Sequence, residues 1–275
     1  MTSRLSLCAQ ELKKSDHDQY LLGLYTPDDK RDGFYALQLF AQETARIRDM
    51  VNEPHLGLIR LQWWRDLIEA VYKGRKDHSE NGTHREFCET IRIKHLDKAL
   101  FERYLNARQF DLEDMAHDDL AALLRYLEAT SGTIAELKAY HLNGAGGTSA
   151  VKIGAAQGLC ELLKTLPYQA RTGRCKIPTA LMKKHGLSLK EFQDFKPNEA
   201  LNSCVRELAS ETHRLIEEAR QERAETNAVL LASIAIEDYL KRLKKVAYDP
   251  FNPDIGGGRL SRQVKLMIKA WRGRY

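Results

Sequence analysis

Apolar residues recur three and four apart at Ala36, Leu39, Phe40, Ile47 and Met50, the stripe of an amphipathic helix with one face on a core. Asn52-Glu53-Pro54 ends that stripe, because the residue before a proline is pushed out of the helical region. A second stripe starts beyond it, through Leu58, Leu61, Leu67, Ile68 and Val71. One polar side chain, Glu43, falls on the apolar side of the first helix. A carboxylate is costly there unless a partner meets it, so the stretch 36–65 is expected to line a pocket.

The same periodicity predicts helices along the rest of the chain. Thr26-Pro27-Asp28-Asp29 reads as a turn capping a helix that starts near Lys30. Residues 85–110 carry a helical pattern through Phe87, Ile91, Leu96, Leu100, Tyr104 and Phe110. The five acidic residues between Asp111 and Asp119 predict a solvated junction. Helical spacing resumes from Leu120 to Leu142, and Asn143-Gly-Ala-Gly-Gly-Thr148 breaks it. A short helix is predicted over 150–166, where Gly154 and Gly158 permit close helix packing. From Pro167 to Pro178 the chain reads as a basic loop with Arg171, Arg174 and Lys176. One kinked or two consecutive helices cover 199–245, a loop covers 248–258, and a basic helix runs from Ser261 to about Arg272. No segment sustains the alternation of a strand. The pattern therefore predicts an all-α fold of roughly nine to twelve helices. Without a low-complexity linker, a single domain is expected over 1–275.

With 43% hydrophobic and 29% charged residues, the composition excludes a disordered or membrane-embedded chain. No apolar run reaches the length of about 18 residues that spans a bilayer. The net charge of +5 allows contact with an anionic ligand or surface without demanding nucleic acid, and none is expected. Cys8, Cys88, Cys160, Cys175 and Cys204 are scattered, with no C-x-x-C pair, which predicts reduced thiols and no zinc site. The N-terminus lacks the apolar core of a signal peptide, and Glu11 and Asp16 speak against a mitochondrial presequence. A cytoplasmic bacterial protein is the expectation, with a mature matrix protein as the eukaryotic alternative.

Six short motifs stand in a fixed order: Tyr35-Ala36-Leu37 with Phe40; Arg60 with Trp64-Arg65; Tyr126-Leu-Glu-Ala-Thr-Ser-Gly-Thr133; Gly154 with Ala156; Gly173-Arg174 with Ile177-Pro178; and Tyr239 with Leu243 and Tyr248-Asp249-Pro250-Phe251. Together, over about 20–270, they resemble the squalene/phytoene synthase family of head-to-head prenyl transferases. The resemblance implies a helical bundle of the isoprenoid (terpenoid) synthase type around a central cavity that holds two isoprenoid diphosphates. It also implies magnesium, held by Asp-x-x-x-Asp pairs on two facing helices. Positions i and i+4 lie about 40° apart on a helix, so both carboxylates reach one ion.

This chain departs from that pattern at both places. Counted from the first motif, the aspartate positions fall on Gln42 and Arg46, and only the neighbouring Glu43 is a carboxylate. Counted back from Gly173-Arg174, the second pair falls on Thr165 and Gln169, with Pro167 interrupting the helix between them. Glu43 and Asp49 lie about 120° apart and cannot replace a pair. No metal ligands are assigned, and no cofactor is expected.

The stretch Glu43-x-Ala45-Arg46-x-Arg48-Asp49 followed by Ile59-Arg-Leu-Gln-Trp-Trp-Arg65 is similar to a branch of the family that lacks intact aspartate motifs and includes a mitochondrial complex I assembly factor. The resemblance implies a non-catalytic role in assembling a membrane respiratory complex, with that complex's subunits as partners and an isoprenoid or lipid as ligand. The alternative is a prenyl transferase with an altered magnesium site, and a third reading is a lipid-binding module alone. Glu43, Arg46, Asp49, Arg65, Arg171 and Arg174 are the candidates for a vestigial substrate pocket. Asp49 beside Arg46 and Arg48 also reads as a local ion pair, and Arg171, Arg174 and Lys176 as a solvated loop. Of the adjacent Trp63 and Trp64, at most one points inward. The basic C-terminal helix suits peripheral contact with an anionic membrane, the inner membrane under the assembly reading.

Overall fold

A computed structural model describes residues 5–75, 81–94, 96–222 and 228–256. The described residues form α-helices joined by turns, with no strand among them. In chain order they are α1 (Leu7–Ser15), α2 (His17–Gly23), α3 (Asp28–Ala45), α4 (Ile47–Met50), α5 (Pro54–Tyr72), α6 (Gly82–Lys94), α7 (Lys98–Arg108), α8 (Leu120–Leu127), α9 (Thr133–Asn143), α10 (Thr148–Arg171), α11 (Thr179–His185), α12 (Leu189–Gln193), α13 (Glu199–Gln221) and α14 (Ala228–Lys245). The expected all-α architecture holds. Fourteen segments stand among the described residues where nine to twelve were predicted. The surplus comes from short pieces such as α4 and α12, below the length at which periodicity is visible. The predicted C-terminal helix lies outside the described residues.

Several boundaries differ from the sequence reading for identifiable reasons. α3 starts at Asp28, not near Lys30. No side chain caps it, and the Thr26 hydroxyl instead donates to the Gly23 carbonyl at 2.7 Å. Asp28 and Asp29 sit in its first turn, where negative charge suits the helix dipole. The predicted loop from Pro167 is helical as far as Arg171, with Pro167 inside α10. Proline removes one backbone bond at a cost of about 3 kcal/mol. Burial of Ile153, Ala156, Leu159, Leu163, Leu166 and Ala170 along the same helix outweighs it. Met50 and Leu58, both placed on apolar stripes by spacing, are 56% and 45% exposed. The junction 111–119 is not uniformly solvated, for Leu112 and His117 are buried and Asp111 faces inward.

α10 is the central element, packed against α9, α13 and α14. Gly154 and Gly158 let it approach the π-turn 128–132 that joins α8 to α9. A Cβ on Gly154 would lie 2.4 Å from the Ser131 carbonyl oxygen, and one on Gly158 2.7 Å from Leu127 Cδ2. On the other side, Phe40 of α3 anchors an aromatic cluster. Its ring centroid lies 4.9 Å from Trp64, 4.7 Å from Phe87 and 5.2 Å from Tyr104, tying α3 to α5, α6 and α7. Trp64 thus points inward, while Trp63 is 44% exposed. All five cysteines are buried.

Candidate functional site

Between these layers lies a cavity of about 720 Å³, within the usual range for ligand pockets. α3 turns Phe34, Gln38, Ala41, Gln42, Ala45 and Arg46 toward it, three and four residues apart. α10 faces them with Gly158, Glu161, Leu162, Thr165 and Gln169. The two stretches at which the sequence places the aspartate motifs therefore do face one cavity.

What those positions carry is different chemistry. Gln169 Nε2 donates to Thr165 Oγ1 at 2.9 Å, and Gln169 Oε1 accepts the Lys176 backbone N–H at 2.9 Å. Across the cavity, Gln42 Nε2 donates to Asp16 Oδ2 at 3.2 Å, and its Oε1 accepts from the Ser15 hydroxyl at 3.0 Å. Arg46 is exposed at the cavity edge. Hard magnesium takes carboxylate oxygens. Two amides, a hydroxyl and a guanidinium do not fit it, and the amides are engaged with protein partners. Three carboxylates do line the cavity, namely Asp16, Asp111 and Glu161. Asp16 caps α2 through Gln19 N at 3.1 Å, and Glu161 pairs with Lys164 at 2.7 Å.

Asp111 belongs to a half-buried network. Arg108 Nη1 donates to Asp111 Oδ2 at 2.9 Å and to the Tyr126 hydroxyl at 3.0 Å, while the Tyr126 hydroxyl donates to Asp111 Oδ1 at 2.6 Å. Arg108 Nε donates to the Tyr104 hydroxyl at 3.1 Å, which in turn lies 2.6 Å from Thr44 Oγ1. Burial works against the Arg108 charge, but Tyr104, Tyr126 and Asp111 more than offset it and keep the guanidinium well above its ordinary range. Burial, with Asp111 and Tyr104 adding to it against the Arg108 charge, pushes the Tyr126 phenol up, so it remains a neutral donor. His117 stacks on Phe110 with centroids 4.2 Å apart, and burial, with help from Lys176, pushes its pKa down.

A second polar group lies at the buried end of the cavity. Lys138 of α9 donates through Nζ to Gln19 Oε1 at 3.2 Å and to Gln38 Oε1, and sits 4.4 Å above the Phe34 ring centroid.

Of the six residues nominated from the sequence, Arg46 alone lines this cavity. Glu43 points to a neighbouring hollow of about 580 Å³, shared with Trp63, Trp64 and Arg60, where its carboxylate accepts from His84 Nε2 at 2.9 Å. Asp49 does not pair with Arg46 or Arg48. It accepts from Arg174 Nη1 at 2.5 Å, and Arg174 Nε also lies 3.3 Å from Asp114 Oδ1. Arg65 joins α5 to α7 through Asn106 Oδ1 at 2.8 Å and Glu102 at 3.5 Å. Arg171 lies 4.8 Å over the Phe195 ring. Arg171 and Arg174 are thus occupied by protein partners and do not converge with Arg46. The residues that do meet in the cavity, Gln19, Gln38, Arg108, Asp111 and Lys138, were not nominated. Lys138 had a visible signal, a lysine four residues from Ile134 in a largely apolar helix.

The cavity, its facing helices and their order define a protein of the isoprenoid synthase fold. The squalene/phytoene synthase profile matches residues 12–269, and the chain belongs to that family. NADH dehydrogenase (ubiquinone) complex I, assembly factor 6, of Bos taurus is 28% identical over 98% of this chain and 82% of its own. The Homo sapiens protein of that name is 26% identical over the same shares. A chloroplastic phytoene synthase of an Oncidium hybrid is 20% identical over 94% of this chain and 65% of its own. Among solved structures, a dehydrosqualene synthase superposes with a TM-score of 0.82 at 18% identity, covering 96% of this chain and 94% of its own. The squalene synthase HpnC from Alicyclobacillus acidocaldarius gives 0.74 at 16%, covering 88% and 94%.

Proposed function

We propose that this chain is a non-catalytic member of its family that assists assembly of a membrane respiratory complex of the complex I type, with its cavity holding an isoprenoid or other lipid. The observation that carries the reading is the replacement of all four aspartate positions, by Gln42, Arg46, Thr165 and Gln169, in a chain similar over nearly its whole length to complex I assembly factor 6. Leaving-group ionisation of an allylic diphosphate needs metals to neutralise the departing pyrophosphate, and the amides at these positions supply no such charge. The partners are subunits of the complex, and the working place is the membrane surface that carries it, reached peripherally. No helix among the described residues is long and apolar enough to cross a membrane.

Deleting the gene and measuring assembly and activity of NADH:quinone reductase tests the assembly role. Reduced assembly is expected, and normal assembly overturns it. The second reading, a prenyl transferase with an altered magnesium site, draws on the carboxylates Asp16, Asp111 and Glu161 that line the cavity. Incubation of the pure protein with farnesyl or geranylgeranyl diphosphate and magnesium separates the two. Metal-dependent pyrophosphate release establishes the transferase, and its absence supports the non-catalytic role.

A further inference from the structure

Lys138, 4% exposed, is the only buried lysine or arginine among the described residues, and it lines the cavity. Its ammonium group has three donors, and Gln19 and Gln38 accept two of them. Both partners are neutral amides. The carboxylate within electrostatic reach is Asp16. Its two oxygens are already engaged by the Gln19 backbone N–H and by Gln42 Nε2. A buried cation without an ionic partner is costly, and the third donor has no acceptor among the described residues.

The placement of this charge gives the cavity a direction. Gln38, on which Lys138 rests, and Arg46, exposed at the edge, are eight residues apart on α3, about 12 Å along its axis. Leu22, Leu127, Ile134, Leu162, Val229 and Ala232 supply an apolar wall to the same space. Of the other cations that line the cavity, Arg108 is neutralised by Asp111, half-buried Lys176 donates to the Met115 carbonyl at 3.2 Å with Asp111 and Asp114 nearby, and Arg46 is exposed at the edge. Lys138 therefore stands as a fully buried positive charge, held by neutral amides, beside the apolar wall of the cavity.

We propose that the cavity binds a single-chain amphiphile with a carboxylate head, seated so that the carboxylate pairs with Lys138 and accepts its remaining N–H while the hydrocarbon chain lies along the apolar wall. A singly charged head matches the one cation buried among neutral partners, whereas a diphosphate there would bring more negative charge than Lys138 can meet. A wholly neutral lipid would fill the wall but leave the ammonium uncompensated. Burial presses Lys138 down to about 7 from an ordinary 10.5, as expected of a cation that lacks its counter-ion. The inference rests on the cavity half of the reading above and does not depend on the assembly half.

The test is calorimetric titration of the full-length, delipidated protein with oleate, with oleyl alcohol and with a short-chain quinone, each on the wild type and on Lys138→Met. Oleate is expected to bind the wild type about tenfold or more tighter than the alcohol or the quinone. Lys138→Met should erase that preference while keeping alcohol binding, which shows that the variant is folded with its cavity intact. Lys138→Gln, which keeps a polar side chain without the charge, should lose the preference likewise. Equal binding of oleate and alcohol by the wild type overturns the inference, as does an oleate preference that survives in both variants. Native mass spectrometry separates the failures. A retained quinone or isoprenoid leaves the lipid cavity standing and overturns the carboxylate head. An empty protein that binds none of the three probes overturns both. Normal respiratory assembly in the deletion strain bears on the assembly role alone.

Discussion

Gln169 and Thr165, one helical turn apart on α10, are hydrogen-bonded to each other at 2.9 Å. In the family's pattern these two positions hold a pair of carboxylates that share a metal ion, and here they satisfy one another. Restoring acid at both ends, with Gln42→Asp, Arg46→Asp, Thr165→Asp and Gln169→Asp combined, is expected to create magnesium binding measurable by isothermal titration calorimetry. The wild-type protein should give no saturable heat with magnesium. Saturable binding by the wild type, lost on Glu161→Gln, would show that the remaining cavity carboxylates suffice.

The Arg108 network predicts a stability effect. Arg108→Met leaves the partly buried Asp111 beside the Tyr126 hydroxyl without its paired guanidinium, and leaving such a charged acceptor without its donor costs about 1–3 kcal/mol, less than in a fully buried pair. Urea denaturation should show a loss of that order, with far-UV circular dichroism of the native state unchanged. A loss below about 1 kcal/mol, the scale of exposed ion pairs, would mean that water reaches Asp111 freely.

Lys138 predicts a pH dependence, and its sign is fixed by linkage. Its folded pKa lies near 7, below the ordinary 10.5, so between those values the unfolded chain binds more protons than the folded one. Stability therefore rises with pH across this window, by at most about 1.4 kcal/mol per pH unit. Buried thiols act the other way. Burial raises Cys8, Cys160, Cys175 and Cys204 above their ordinary 9.0, so their contribution falls away above that pH. Burial lowers Lys176 as well, so the comparison with a Lys138 variant between about pH 7 and 9 isolates Lys138. Urea midpoints of wild type and Lys138→Met should converge as pH rises through it, with the variant more stable at pH 7. Parallel curves would show that Lys138 is already paired.

Close packing predicts a steric limit at Gly154. A Cβ there meets backbone, the Ser131 carbonyl oxygen at 2.4 Å, which cannot move aside as a flexible side chain can. Gly154→Ala is expected to destabilise by about 1–3 kcal/mol, read as a lowered urea midpoint. Gly144→Asn, at a left-handed helix end with open space around it, should cost much less. Equal losses would show that backbone freedom and not contact sets the cost at Gly154.

The sequence by itself determined the all-α fold and the loss of the aspartate motifs, and its family resemblance implied that stretches 42–46 and 165–169 face one cavity. Each of these is local: helical periodicity, the order of short motifs and the identity of residues at fixed spacing are all present in the chain as written. It also named Arg46, because that residue occupies a motif position. The tertiary structure alone decided where the other nominated charges point. Glu43 lies one position from Gln42, yet about 100° of helix rotation carries it into a different hollow, to His84. Asp49 finds Arg174 from 125 residues away, which no spacing rule reaches. Pro167 stays in a helix because burial along α10 outweighs its missing hydrogen bond. Lys138 reads in the sequence as one lysine among 43 basic residues. Only the approach of α2 and α3 to α9 makes it a buried charge held by two amides, because burial and the absence of a counter-ion are properties of the packed neighbourhood and not of the residue.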